Sequence, residues 1–181
     1  DVQLMGAALV GSAATGCEDA WSDIDLALQL RPDAELSQVV DRWTAQLYDQ
    51  HGAVHHVDVV AQGVLYRAFL LASTLQVDLS FWPEVQFRAT QPGFTLLFGS
   101  PRPATTPHVV DADHTIGMAW LYAVHARSAI ARGRTWQAVM MLDQLRDQII
   151  ALGCLARDLN PYHGREADRL PSDLLAALSD A

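Results

Sequence analysis

Apolar and polar positions along this chain follow one period in its first half and another in its second. Leu4–Val10 is an unbroken apolar run that stops at Gly11-Ser12, and Ala13-Ala14 behind it suit a helix, so the spacing predicts a buried strand, a tight turn and a short helix. Residues 22–30 alternate, with Ile24, Leu26 and Leu28 on one face and Asp23, Asp25 and Ala27 on the other. That is the pattern of a half-buried strand whose exposed face carries carboxylates. Beyond Pro32-Asp33, Leu36, Val39, Val40, Trp43 and Leu47 recur at helical spacing until Gly52, a natural C-terminal position, predicting an amphipathic helix packed on a sheet. Residues 54–60, 64–72 and 75–82 are rich in β-branched and aromatic side chains and read as strands, the last two joined by a hairpin turn at Ser73-Thr74. About five strands are expected in the first half.

The period changes after residues 99–112, a segment with Pro101, Pro103 and Pro107 and little to bury, which reads as a linker. Residues 113–133 and 135–159 are helical in period. Ile116, Trp120, Ala123 and Ile130 mark one stripe, and Val139, Leu142, Leu145, Ile149 and Leu152 the other. Asn160-Pro161 breaks the second helix, and residues 172–178 begin one more. The expected class is therefore α+β: a mixed sheet with flanking helices at residues 1–105, followed by a helical domain at residues 110–181. Trp120, Trp136 and Tyr122 are expected in the helical core. Arg127 falls on the apolar stripe, where a buried charge needs a partner.

Composition narrows the chemistry. The chain has 181 residues with twelve arginines and no lysine, which removes P-loop, Schiff-base and lysine general-base chemistry at once. Seventeen aspartates and four glutamates bring the net charge to −9, the wrong sign for gripping nucleic acid over a broad surface and a suitable one for metal ions or cationic partners. No apolar run reaches the ~18 residues of a membrane-spanning helix, and the first ten residues lack the pattern of a secretory signal. Cys17 and Cys154 have no metal-ligand spacing, so both read as reduced thiols of a cytoplasmic protein.

The most informative stretch is Gly11-Ser12 at a strand end, then Asp23-Ile24-Asp25 on the next strand. Residues two apart on a strand point the same way, so the two carboxylates converge. Left alone they repel; an all-oxygen set of this kind is best satisfied by Mg²⁺ or Mn²⁺. Gly11 permits close approach to the backbone, and Ser12 with the amides that follow suits a phosphate. Asp-x-Asp alone is more often the solvent face of an edge strand. The third acid, Asp78 in Val77-Asp78-Leu79-Ser80, changes that balance, because Val77 and Leu79 face the core and Asp78 the other side, one strand spacing from the pair. His55, His56 and Asp58 are a weaker candidate cluster, since neighbours on a strand face opposite ways and only His56 and Asp58 could cooperate. His125, Asp143 and Arg146 are polar candidates on the helical half.

These residues resemble the nucleotidyltransferase superfamily that includes DNA polymerase β and the antibiotic nucleotidyltransferases. The match lies in Gly11-Ser12, in Trp21-Ser22-Asp23-Ile24-Asp25-Leu26, and in Val77-Asp78-Leu79-Ser80 followed by Pro83, which is similar to the third strand of aminoglycoside 6-adenylyltransferases. More loosely, Arg132-Gly133-Arg134-Thr135-Trp136-Gln137-Ala138 with Leu145-Arg146 resembles their helical domain. The resemblance implies Asp23, Asp25 and Asp78 as catalytic residues and ligands of two Mg²⁺, with Gly11, Ser12 and Ser22 binding the nucleotide. It implies AMP transfer from ATP to a hydroxyl of a small molecule such as an aminoglycoside or lincosamide. Two alternatives stand beside it: the same chemistry on tRNA or protein in a toxin–antitoxin-like system, and a non-catalytic nucleotide- or ligand-binding module. Members of that family carry a helix before the first strand, so a segment preceding Asp1 is expected.

Overall fold

A computed structural model of the chain describes residues 2–90, 93–105 and 110–179, so Pro107 of the expected linker lies outside the described residues. The chain divides into two compact units, residues 1–107 and 108–181. The first is α+β and the second helical, as the periods predict.

The first unit holds a mixed sheet of six strands: β1 (Leu4–Val10), β2 (Ile24–Leu30), β3 (Ala53–Ala61), β4 (Val64–Leu71), β5 (Gln76–Trp82) and β6 (Phe94–Phe98). Their order is β3-β4-β5-β2-β1-β6, with β2 and β5 parallel and every other pair antiparallel. Two helices belong to it, the short α1 (Gly11–Thr15) and the amphipathic α2 (Leu36–His51), which ends at Gly52 in the left-handed conformation.

Alternation along the strands sorts two cores onto the two faces. Leu28, Leu30, Phe69, Val77, Leu79 and Phe81 pack with Val39, Val40 and Leu47 of α2 on one face. Burying a phenylalanine of this kind contributes about 1.5–3 kcal/mol. Ala8, Ala27 and Phe87, with Val10, Trp82 and Phe94 against them, form a smaller core on the other face. Here the structure corrects the expectation of one solvated face. Only the end of β2 and β5 that bears Asp25 and Asp78 stays open, whereas Ala27 and Gln29 further along β2 are buried at 2% and 1% exposure. Strand β2 also starts at Ile24, leaving Ser22 and Asp23 in the preceding turn.

Strand β6 is a sixth strand beyond the five expected, pairing with β1 at the opposite edge from β3. The proline-rich stretch is not free chain either: the Arg102 amide donates to the Phe87 carbonyl at 2.8 Å, the Thr105 amide to the Ala89 carbonyl at 3.2 Å, and the Arg102 guanidinium to Glu84 at 2.7 Å.

In the second unit, α3 (Ala112–Ala131) and α4 (Thr135–Leu155) pack together across a turn at Gly133, whose φ is +68°. Asp111 caps α3, its carboxylate accepting from the Asp113 and His114 amides. The buried positions of α3 are Thr115, Ala126 and Ala129, while Ile116 and Ile130 are exposed, Trp120 is 60% exposed and Trp136 79%. The tryptophans are thus not core, and the buried positions of α4 are likewise small, Ala138, Gly153 and Cys154. Arg127 is exposed, so it needs no buried partner. After two short 3₁₀ turns, α5 (Ser172–Ser179) follows. Leu170 and Leu174 pack at Gly153, and Arg146 donates to the Leu178 carbonyl at 2.9 Å and to Asp143 at 2.6 Å, so that pair braces α5.

The candidate pair of His56 and Asp58 is divided among structural partners. Asp58 accepts two hydrogen bonds from Arg67, at 2.6 and 2.7 Å, and Arg67 also donates to Thr44 of α2 at 2.6 Å. His56 Nδ1 lies 2.9 Å from the Tyr48 hydroxyl. Arg67 holds the Asp58 carboxyl below its ordinary range, so the pair's stabilisation is present above the unfolded carboxyl pKa and is lost as pH falls through the folded one. Asp58→Asn is expected to cost about 1 kcal/mol at neutral pH. In urea melts the gap from wild type should close on acidification; a gap unchanged down to pH 3 would show that the ion pair does not carry the effect.

Candidate active site

The site grows from two strands and one turn. In the parallel pairing of β2 and β5, Asp25 stands directly opposite Asp78, in a register fixed by Leu26 opposite Leu79 and Leu28 opposite Phe81 on the α2 face. Asp23 arrives from the turn before β2. That turn is built by Asp19, whose carboxylate accepts from the Trp21 amide at 2.8 Å and the Ser22 hydroxyl at 3.1 Å, while the Asp19 amide donates to Ser22 Oγ at 2.9 Å. Ser22 therefore holds the turn that delivers Asp23.

Carboxylate oxygens of Asp23, Asp25 and Asp78 all lie within 4.8 Å of one another, and each residue is half-buried. Burial raises the Asp78 pKa first; the amide of Gln76, donating to both carboxylate oxygens at 3.1 Å, opposes this, and the charge of Asp23 adds to the rise. Gln76 was not among the residues expected from sequence. Its signal was its position two residues before Asp78 on the same strand face.

Gly11 and Ser12 complete the arrangement. Gly11 sits at φ +69°, and a Cβ there would overlap Asp25 Oδ2, so the backbone at the end of β1 lies directly against that carboxylate. Ser12 Oγ is buried without a hydrogen-bond partner. A buried hydroxyl left unmatched costs about 1–3 kcal/mol, which points to a group that the hydroxyl is built to meet. Strand β6 braces this turn: Gly93 packs against the Gly11 carbonyl and the Thr15 methyl, and Thr95 donates to the Ala14 carbonyl at 3.2 Å.

All donors in the cluster are carboxylate oxygens, the set that hard divalent cations take, and Mg²⁺ or Mn²⁺ fits it where zinc would want nitrogen or sulfur. An orphaned hydroxyl and a glycine backbone lie beside it, the donor types that suit phosphate oxygens. No helix among the described residues is long and apolar enough to cross a membrane.

No protein-family model matches the sequence, and no curated protein does. Among solved structures the chain is similar to an aminoglycoside 6-adenyltransferase from Bacillus subtilis, at 12% identity and a TM-score of 0.36, covering 99% of this chain and 73% of that one.

Two expectations follow from this geometry. Gly11→Ala should destabilise the protein by about 1–2 kcal/mol through its left-handed backbone alone, and further through the overlap with Asp25, read as a lower melting temperature. Asp78→Asn should raise the melting temperature of the metal-free protein. Because the folded pKa of Asp78 is raised, its contribution is present in full below the unfolded pKa of 3.8 and lost as pH rises through the folded one. The asparagine variant should therefore gain at neutral pH and match wild type in acid; a variant less stable than wild type at pH 7 without metal would contradict this account of the cluster.

Proposed function

We propose that the protein transfers a nucleotidyl group, AMP from ATP, to a hydroxyl of a small molecule in a Mg²⁺-dependent reaction. The observation that carries the reading is the convergence of three carboxylates beside a glycine backbone and an unpartnered serine hydroxyl. Asp23, Asp25 and Asp78 would hold divalent cations, which when bound offset the charge of the triphosphate and of the pentavalent phosphorus in the transition state. Ser12 and the Gly11 backbone would take the distal phosphates, and Ser22 would keep Asp23 in place. Asp78 would hold the cation on the acceptor side or help to take the acceptor's proton. The acceptor oxygen then bonds to the α-phosphorus, the bond from that phosphorus to its bridging oxygen breaks, and pyrophosphate leaves. The net charge of −9 disfavours a polynucleotide, which needs several phosphate contacts from a chain with only scattered arginines.

Asp25→Asn keeps the shape of the side chain and removes charge. It is expected to abolish release of pyrophosphate from ATP while the protein stays folded. Wild type at ATP about 100 times its dissociation constant should gain roughly 2.7 kcal/mol in a thermal melt with Mg²⁺ and lose the gain with EDTA. Full transfer by the variant, or an equal shift without metal, would overturn the assignment.

A further inference from the structure

The open face of the sheet does not end at the carboxylates. In the paired registers, Val57 of β3 lies opposite Ala68 of β4, Ala68 opposite Asp78 of β5, and Asp78 opposite Asp25 of β2. The adjacent row runs His55, Leu70, Gln76. Directly paired residues point to the same side, so these side chains share the face that bears Asp25 and Asp78. Five of them, His55, Val57, Ala68, Leu70 and Gln76, line a trough of about 140 Å³, which His56 and Phe69 also line.

Three properties define what this trough takes. Its size matches a single ring, since a cavity of about 150 Å³ accommodates benzene; a helix or peptide strand is far too large. Its floor is aliphatic, formed by Ala68 with the exposed Val57 and Leu70, and no carboxylate lines it. Its inner wall is Gln76, whose amide donates to both oxygens of Asp78. A group resting on Ala68 lies one strand spacing, about 4.8 Å, from Asp78. That is the separation between a ring and a hydroxyl in an aryl-substituted sugar or a similar small molecule.

We infer that this trough is the acceptor subsite, and that it selects a hydroxylated small molecule carrying an aromatic ring, which seats the hydroxyl beside Asp78. The inference rests on the nucleotidyl-transfer reading above and narrows its acceptor: recognition is by apolar contact at the sheet, not by pairing of a polycation with acids there. Gln76 is a positioning residue that ties the trough wall to the carboxylate.

The test uses the full chain labelled with ¹⁵N and three probes: phenyl β-D-glucopyranoside, methyl β-D-glucopyranoside, which has the same ring hydroxyls without the aryl group, and kanamycin. Phenyl glucoside should move the amide resonances of Val57, Ala68 and Leu70 saturably, with the other two leaving them in place. Leu70→Gln should weaken that binding about tenfold, as loss of most of a ring's apolar contact does, and leave the ATP–Mg²⁺ thermal shift unchanged. Leu70 is exposed, so the variant is expected to fold; Val57→Gln serves as a second variant on the same floor. Absence of saturable shifts, equal shifts with methyl glucoside, or tighter trough binding by kanamycin would overturn the inference. If phenyl glucoside saturates the trough but ATP with Mg²⁺ stabilises nothing, the transfer reading has failed by its own measurement, and the role of the trough as an acceptor subsite falls with it.

Discussion

The parallel pairing of β2 with β5 is the constraint on which the rest of the first unit depends. A one-residue slip in that register would turn Asp25 or Asp78 toward α2 and bring Leu26, Leu28 or Leu79 out to the open face. The buried leucines and Phe81 therefore do more than stabilise the sheet. By fixing the register on one face they fix the spacing of two like charges on the other, and no interaction between the charges themselves could do so, since it is repulsive. Antiparallel pairing of β1 against β2 then brings Gly11 to Asp25, with Val10 opposite Asp25 as the last residue before the turn.

The site is accordingly a place where the fold gives up stability. Asp78 is half-buried with its pKa raised, Ser12 Oγ is buried without a partner, and Gly11 occupies a conformation that side chains avoid. The first two are unfavourable alone, and a divalent cation with a phosphate group would relieve them together; the third costs a glycine little and bars any side chain. The hydrogen bonds from Gln76 and the turn at Asp19 work in the opposite direction, restraining Asp78 and Asp23 in the absence of any ligand. Pre-placement of the acids in this way lowers the ordering cost that binding would otherwise carry.

Much of this was legible in the chain because strand alternation reports which face is buried. Ile24, Leu26 and Leu28 against Asp25, and Val77 and Leu79 against Asp78, put the acids on the face away from the apolar side chains. The Ser22 turn and Gln76 needed pairwise geometry, an Asp19-x-x-Ser22 spacing and a same-face neighbour, that composition does not reveal. Strand β6 escaped because Phe94–Phe98 is only five residues long and its single polar residue, Thr95, leaves no alternation to read. In α3 the apolar stripe through Ile116, Trp120 and Ile130 pointed to the wrong surface: the buried positions are Thr115, Ala126 and Ala129, small side chains that a pattern of large apolar residues does not mark.

The division of labour across the open face has a consequence for how such a site can change. Asp25 and Asp78 stand on central strands whose opposite sides are core, so altering their neighbours on β2 or β5 disturbs packing that sets the register. Val57 and Leu70 lie in the same cross-strand rows but project from β3 and β4 with half or so of their surface in water. Exposed strand positions of this kind tolerate substitution at roughly ±0.5 kcal/mol. Side chains that would touch an acceptor can thus vary almost independently of those that hold the charges. On the proposed reading the chemistry would be anchored in the core of the sheet and the selectivity in its margin, a separation that follows from where hydrophobic burial is needed and where it is not.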